Sequence, residues 1–345
     1  MGSSPSNSTR IRKRPPKPRG KRTPTSTSAG GSDVAHSRRR TRELRRTAAA
    51  YAALVRVPNL FTAPPDVIAG AALAVAAGGT VSLSAAAGVA GASMLLYAGG
   101  TTLNDYVDAP VDAEERPERP IPSGRIARPV AGLLGVVLLG SGVVVAAALA
   151  GVTAGIGAAA VALAVVSYDG VLKGGPAGFV AMGVTRGLNV LFGMTATTVS
   201  LISLPPWVFG VPLAVAAYIA GVTAMAAREA TGATRRAVVV AGVGAGIAGL
   251  GAIALHTITP LATRSLAAGV GIVLAGGFLA TAGQALGRAY RTPSPETIGP
   301  VVGTCVLALV VVDAAIASIA GGRWALTALA FVVPAVGLSQ LFDVS

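Results

Sequence analysis

Between Asn104 and Gly124 the chain reads NDYVDAPVDAEERPERPIPSG, with its first acids at helical intervals. Asp105, Asp108 and Asp112 are spaced by three and four residues, so a continuous helix turns all three carboxylates to one face. Carboxylates placed this way repel one another unless a cation stands among them. A hard divalent ion answers that need, because Mg²⁺ keeps several waters and bridges carboxylates to phosphate oxygens. Arg116 and Arg119 follow directly, and guanidinium suits bidentate contact with phosphate. Pro117, Pro120 and Pro122 then stop the helix and stiffen the loop beyond it. The plainer reading is a solvated loop that only balances charge. Three acids at helical spacing, the adjacent Asn104, two arginines and a rigid proline cover together favour a metal and phosphate site.

The elements that must position these side chains are membrane helices. The chain of 345 residues is 52% hydrophobic, 4% aromatic and 12% charged. Its Ala, Val, Leu and Gly fall in runs near the roughly 20 residues that a helix needs to cross about 30 Å of hydrocarbon. The 45 glycines would be odd in soluble helices, but small residues let membrane helices pack closely. Apolar segments lie near 60–79, 82–102, 128–150, 152–168, 177–200, 206–226, 237–256, 265–287, 297–320 and 324–342. The expected fold is an all-α integral membrane protein, a bundle of nine to ten transmembrane helices with a central cavity open to the cytoplasmic side. The count falls to nine if one of the last two segments is re-entrant.

The net charge of +14 has a local source. Residues 1–50 hold 14 Lys and Arg against Asp33 and Glu43, while the remaining 295 residues are close to neutral. These first 50 residues read as a disordered basic arm, rich in Ser, Thr, Pro and Gly. Residues 51–345 form the membrane domain. No short apolar region with a cleavage site follows the arm, so it does not read as a signal peptide. It suits anionic lipids and the setting of orientation. With no aromatic interleaving or folded motif beside the charge, nucleic acid is not an expected partner. The lone Cys305 and the two histidines offer no metal spacing and no histidine-based catalysis.

With the N-terminus in the cytoplasm, the inward connections carry ten Lys and Arg and the outward ones only Arg264 and Arg323. The expected location is the cell membrane, multi-pass, with the polar loops on the cytoplasmic side. Arg186 is left inside a span, about 15 Å along its helix. A charge so placed marks a functional site by default. It reads either as a cavity residue, with Asn189 one turn on, or as the partner of Asp66 in the first span. Asn59 stands at the mouth of that span, where it could orient an acceptor. Asp313, counted along its own span, falls nearer the outer surface.

The acidic stretch resembles the first aspartate-rich signature of the UbiA superfamily of intramembrane prenyltransferases, NDxxDxxxD followed by RPxPxG. Asn104, Asp105, Asp108 and Asp112 fall on the signature, and residues 119–124 read RPIPSG. The stretches LVRVPNLFTAPPDVIAG at 54–70 and YDGVLKGGPAGFVAMGVTRGLNVLFG at 168–193 look similar too, especially to the EboC-like bacterial branch. The resemblance covers roughly residues 50–340. It implies that Asp105, Asp108 and Asp112 hold Mg²⁺ against a prenyl diphosphate and that Tyr168 and Lys173 face that diphosphate. It also implies transfer of the isoprenyl group to an electron-rich, lipophilic or aromatic acceptor.

The family pattern includes a second acidic motif, DxxxD, after the sixth helix. Here the corresponding stretch, AMAAREATGATRR at 224–236, has Glu229 as its only acid. Arg228, Arg235 and Arg236 crowd the same loop, so cations are expected to meet the diphosphate there directly. Two rival readings stay open: cyclisation of the same chain without an acceptor, and binding or movement of a polyprenyl lipid without chemistry.

Overall fold

Runs of Ala, Val, Leu and Gly become helices, and all regular structure among the described residues is helical. The computed structural model describes residues 2, 29–227, 232–258 and 265–339. The chain divides into two units, Met1–Arg46 and Thr47–Ser345.

The first helix, α1, spans Ala29–Leu54 and so begins inside the stretch expected to be disordered. Beyond Gly31 that stretch has neither Gly nor Pro and is rich in Arg, Ala and Leu, all good helix formers. Its Arg40, Arg42, Arg45 and Arg46 are exposed.

In the second unit the first span is broken. A single turn, α2 (Val57–Leu60), is followed by α3 (Pro64–Ala76). Pro64 and Pro65 cannot continue a helix already begun, but they suit the first turn of a new one. Next come α4 (Leu83–Glu115), α5 (Arg128–Ala150) and α6 (Val152–Ser167), the last widening into a π-helical turn over Tyr168–Leu172. The rest are α7 (Gly175–Met194), α8 (Gly210–Ala226), α9 (Arg235–Ile258), α10 (Ser265–Arg291), α11 (Pro295–Ala317), α12 (Gly322–Leu329) and α13 (Val332–Ser339).

Ten stretches among the described residues are long and apolar enough to cross a membrane. Exposed Leu133, Val136, Val144, Leu163 and Val273 carry apolar surface around the outside, which suits lipid and not water. The protein is a multi-pass membrane protein. Its sequential helices pack as neighbours, while α3 packs against α4, α7, α11 and α12 and is buried from Pro64 to Ala74.

Two features of this packing position the site. At the crossing of α3 and α7 the backbones nearly touch. A Cβ on Gly70 would overlap the Val190 carbonyl oxygen, and one on Gly193 would overlap that of Val67. Glycine is required at both places. The other feature is the length of α4. Its 33 residues make a rod of about 50 Å, longer than the hydrocarbon is thick. Its last turns carry the acids. Pro117 ends the helix, and the backbone N–H of Arg116 closes it on the Asp112 carbonyl at 2.8 Å.

Candidate functional site

The continuous α4 brings Asp105, Asp108 and Asp112 to one face, as their spacing demands. Each carboxylate meets a cation. Arg119 Nη1 lies 2.8 Å from Asp112 Oδ2 and 3.4 Å from Asp105 Oδ1. Asp105 also receives Arg56 Nη2 at 3.0 Å, and Lys173 Nζ stands 2.5 Å from Asp108 Oδ2. Asn104 Nδ2 donates to Asp169 Oδ1 at 2.8 Å. Arg116 makes none of these ion pairs.

Arg56 and Asp169 are additions that the sequence reading did not single out. Arg56 occupies the joint between α1 and α2 with φ 50° and ψ 57°. It is the only non-glycine residue at positive φ among the described residues, and such backbone costs about 1–3 kcal/mol. Burial disfavours its charge, but Asp105, Tyr97 and Asp108 together offset that and raise its pKa above the ordinary arginine value. Asp169 follows Tyr168 in the π-helical turn, a kind of distortion that often marks functional sites.

Of these groups, Arg56, Asn104 and Asp169, with Tyr168, line one end of a cavity of about 260 Å³. Asp105, Asp108, Asp112, Arg119 and Lys173 adjoin them through the contacts above and are not among the cavity's lining residues. Its walls include the apolar Leu96, Val161, Val165 and Met182. Read backward from Asn104 in helical steps, α4 presents Thr101, Tyr97 and Ser93 to the same cavity. That stripe could have been found by extending the aspartate spacing toward the N-terminus.

Arg186 and Asn189 line the other end. Arg186 thus lines the cavity and also pairs with Asp66, its Nε lying 3.0 Å from Asp66 Oδ2 although its N–H is off the line of a hydrogen bond. The break between α2 and α3 supplies acceptors for the rest. Arg186 Nη2 donates to the Thr62 carbonyl at 2.7 Å, and Asn189 Nδ2 donates to the Ala63 carbonyl at 3.0 Å and to Asp66 Oδ2 at 2.9 Å. Ser93 Oγ donates to Asn189 Oδ1 at 3.0 Å. Asp313 is fully buried, its carboxyl close to that of Asp66 and without a hydrogen-bond partner among the described residues.

Other expected site residues lie elsewhere. Asn59 is half-buried on α2 and is not among the cavity's lining residues; its carbonyl accepts from Thr62 Oγ1 at 2.8 Å. Arg228 and Glu229 lie outside the described residues. Arg235 Nε donates to the Tyr290 carbonyl at 3.2 Å, with its guanidinium over the Tyr290 ring.

Among the described residues no three His, Cys, Asp or Glu side chains form a ready cage for a metal ion. The chemistry of the donor set still fits Mg²⁺, because Asp105, Asp108, Asp112, Asp169 and Asn104 offer only hard oxygens. Mg²⁺ commonly uses one or two carboxylates, with waters and phosphate oxygens completing its octahedron.

A family model described as the UbiA prenyltransferase family matches residues 67–292, more than half of the chain. The digeranylgeranylglyceryl phosphate synthase of Ignicoccus hospitalis is 38% identical over 151 residues, 43% of this chain and 47% of that protein. The synthase of the same name from Halobacterium salinarum is 37% identical over 139 residues, 39% of this chain and 50% of that one. The chain thus spans about half the length of these relatives. They belong to a different branch from the EboC-like one that the motifs resemble. A solved digeranylgeranylglyceryl phosphate synthase superposes with a TM-score of 0.55 at 21% identity, over 79% of this chain and 98% of that one. A UbiA homologue from Archaeoglobus fulgidus, bound to DMAPP and Mg²⁺, superposes with a TM-score of 0.54 at 15% identity, over 77% of this chain and 98% of that one. At these identities the likeness is one of fold.

Proposed function

Because the chain belongs to the UbiA prenyltransferase family, we propose that it transfers an isoprenyl group from a prenyl diphosphate to a lipid-like alcohol, with Mg²⁺, inside the membrane. The observation that carries this reading is the charge balance at the cavity mouth. Four carboxylates, Asp105, Asp108, Asp112 and Asp169, stand there with three paired cations, Arg56, Arg119 and Lys173. A diphosphate alone would meet an excess of negative charge; a diphosphate arriving with Mg²⁺ would not.

Asp105, Asp108 and Asp112 are the residues that would hold Mg²⁺, with Asn104 beside them. The bound ion supplies a positive charge that offsets the charge developing on the leaving diphosphate. Arg56, Arg119 and Lys173 are the donors that would turn from carboxylates to diphosphate oxygens as the allylic C–O bond ionises. The apolar walls exclude water from the carbocation, and Tyr97 and Tyr168 line the same space. The acceptor oxygen then bonds to the cationic carbon and loses its proton.

The sequence suggested an aromatic acceptor. An alcohol is favoured here by the names of the relatives, which make a glyceryl phosphate lipid, and by the far end of the cavity. There Ser93, Thr185, Arg186 and Asn189 offer hydrogen bonds, with Tyr97 one turn along α4 from Ser93. The cavity mouth and the N-terminus face the cytoplasm on the strength of the ten-to-two asymmetry of Lys and Arg. The basic arm, in the same reading, lies against anionic lipid.

One assay tests these points. Inverted and right-side-out membrane vesicles are supplied with prenyl diphosphates and Mg²⁺, with either a prenylglyceryl phosphate or a hydroxybenzoate acceptor. Lipid mass spectrometry is expected to find prenylated glyceryl phosphate in the inverted vesicles alone. Hydrocarbon formed without acceptor would make the protein a cyclase, and unconsumed diphosphate would make it a binding protein. Equal turnover in right-side-out vesicles would reverse the orientation.

A further inference from the structure

A buried acid faces the aspartate stripe from another element. Asp169 has a side chain only 5% exposed and accepts from Asn104 Nδ2 at 2.8 Å. Its Oδ1 also stands 3.8 Å from Lys173 Nζ, whose closer partner is Asp108 Oδ2 at 2.5 Å. Asn104, Asp169, Lys173 and Asp108 thus make a continuous path from α4, through the turn after α6, and back to α4.

We propose that Asp169 is a positioning residue for diphosphate recognition, acting through Lys173. It tethers the ammonium at the cavity mouth once Asp108 turns to a metal ion. The inference rests on the reading of that mouth as the diphosphate site.

Lys173 has two carboxylate partners of different character. Asp108 is about a quarter exposed and belongs to the stripe that would hold Mg²⁺. An ammonium and a divalent cation repel each other across one carboxylate, so Mg²⁺ arriving at Asp108 would weaken its hold on Lys173. Its long stem is itself 27% exposed, and without a second anchor the strongly hydrated head would swing into water. Asp169 prevents that because it is buried and already held by Asn104. From this anchor the ammonium has donors to spare for a diphosphate oxygen. The loop at 224–236 offers a single acid, Glu229, where the family pattern has a pair. The turn after α6 provides a further one from a different direction.

The test uses Asp169→Asn in the full-length protein in nanodiscs. The change keeps an oxygen that accepts from Asn104 and removes the charge that tethers Lys173. Binding of dimethylallyl S-thiolodiphosphate is measured across a Mg²⁺ titration. With saturating Mg²⁺ the variant is expected to bind about tenfold more weakly than wild type. In a Lys173→Met background the same change is expected to cost nothing more. Wild-type affinity in Asp169→Asn, or an undiminished loss in the Lys173→Met background, overturns the tether. Asp105→Asn is measured alongside. If it too binds like wild type, the mouth is not a diphosphate site; if it alone loses binding, only the tether fails. Should Asp169→Asn not fold, Asp169→Glu, which keeps the charge, is expected to hold affinity within about threefold. A tenfold loss there also overturns the proposal.

Discussion

At the mouth of the cavity the cations are partly exposed and share partners, although Asp105, Asp112 and Asp169 are themselves buried; at its far end Asp66 is fully buried, Arg186 nearly so, and the pair is fixed. Arg119 divides itself between two aspartates and Lys173 between two others. Asp66, by contrast, is 0% exposed, and Arg186 is pinned through the Thr62 carbonyl that the broken first span provides. A buried ion pair has lost most of its hydration, so removing one partner strands the other at high energy. A pair whose cation still touches water, as Arg56, Arg119 and Lys173 do, can exchange one partner for another at smaller cost. In the proposed function the mouth trades counter-ions with the substrate, and the far end holds three helices and a cavity wall in place.

The largest expected effect breaks the far end. Arg186→Ala leaves the Asp66 carboxylate without its cation and should destabilise the fold by about 3–5 kcal/mol. Thermal unfolding in detergent measures it, and adding Asp66→Asn should recover much of the loss. An Arg186→Ala protein that melts like wild type but no longer uses acceptor would place this end with the chemistry. At the mouth, Asp105→Asn should lower the unfolding midpoint less than Arg186→Ala does, because Arg56 and Arg119 keep access to water. It should lower Mg²⁺-dependent turnover on the order of a hundredfold, as loss of one key electrostatic group does elsewhere. A large fall in stability without a change in turnover would reverse the comparison. The smallest effect sharpens it. Arg56→Lys keeps the charge next to Asp105 but loses the planar fork, and about a tenfold loss of prenyl diphosphate affinity is expected. Equal affinity would mean that the mouth works through charge alone.

The spans were legible because roughly twenty apolar residues in a row have few other uses in a folded chain. The aspartate stripe was legible because it lies on one helix, where spacing alone decides the face. Arg56 and Asp169 were not, since they reach their partners across 49 and 65 residues of sequence, and only packing brings them there. The start of α1 was missed because charge density reads as disorder when the residues that carry it are also helix formers.

The pairing of Asp66 on α3 with Arg186 on α7 has a consequence for how the protein is made. The two helices are separated by three complete spans, so Asp66 enters the bilayer before its partner has been synthesised. An isolated charge at the centre of a span opposes insertion by about 2.5–3.5 kcal/mol. At about 5–20 residues per second the wait for Arg186 lasts on the order of ten seconds. During that time the first span has Asp66 without a counter-ion, and α4 beside it is its natural companion until α7 arrives. Until the fifth span supplies the missing cation, the first span carries this cost unrelieved or takes Asp66 in as the neutral acid.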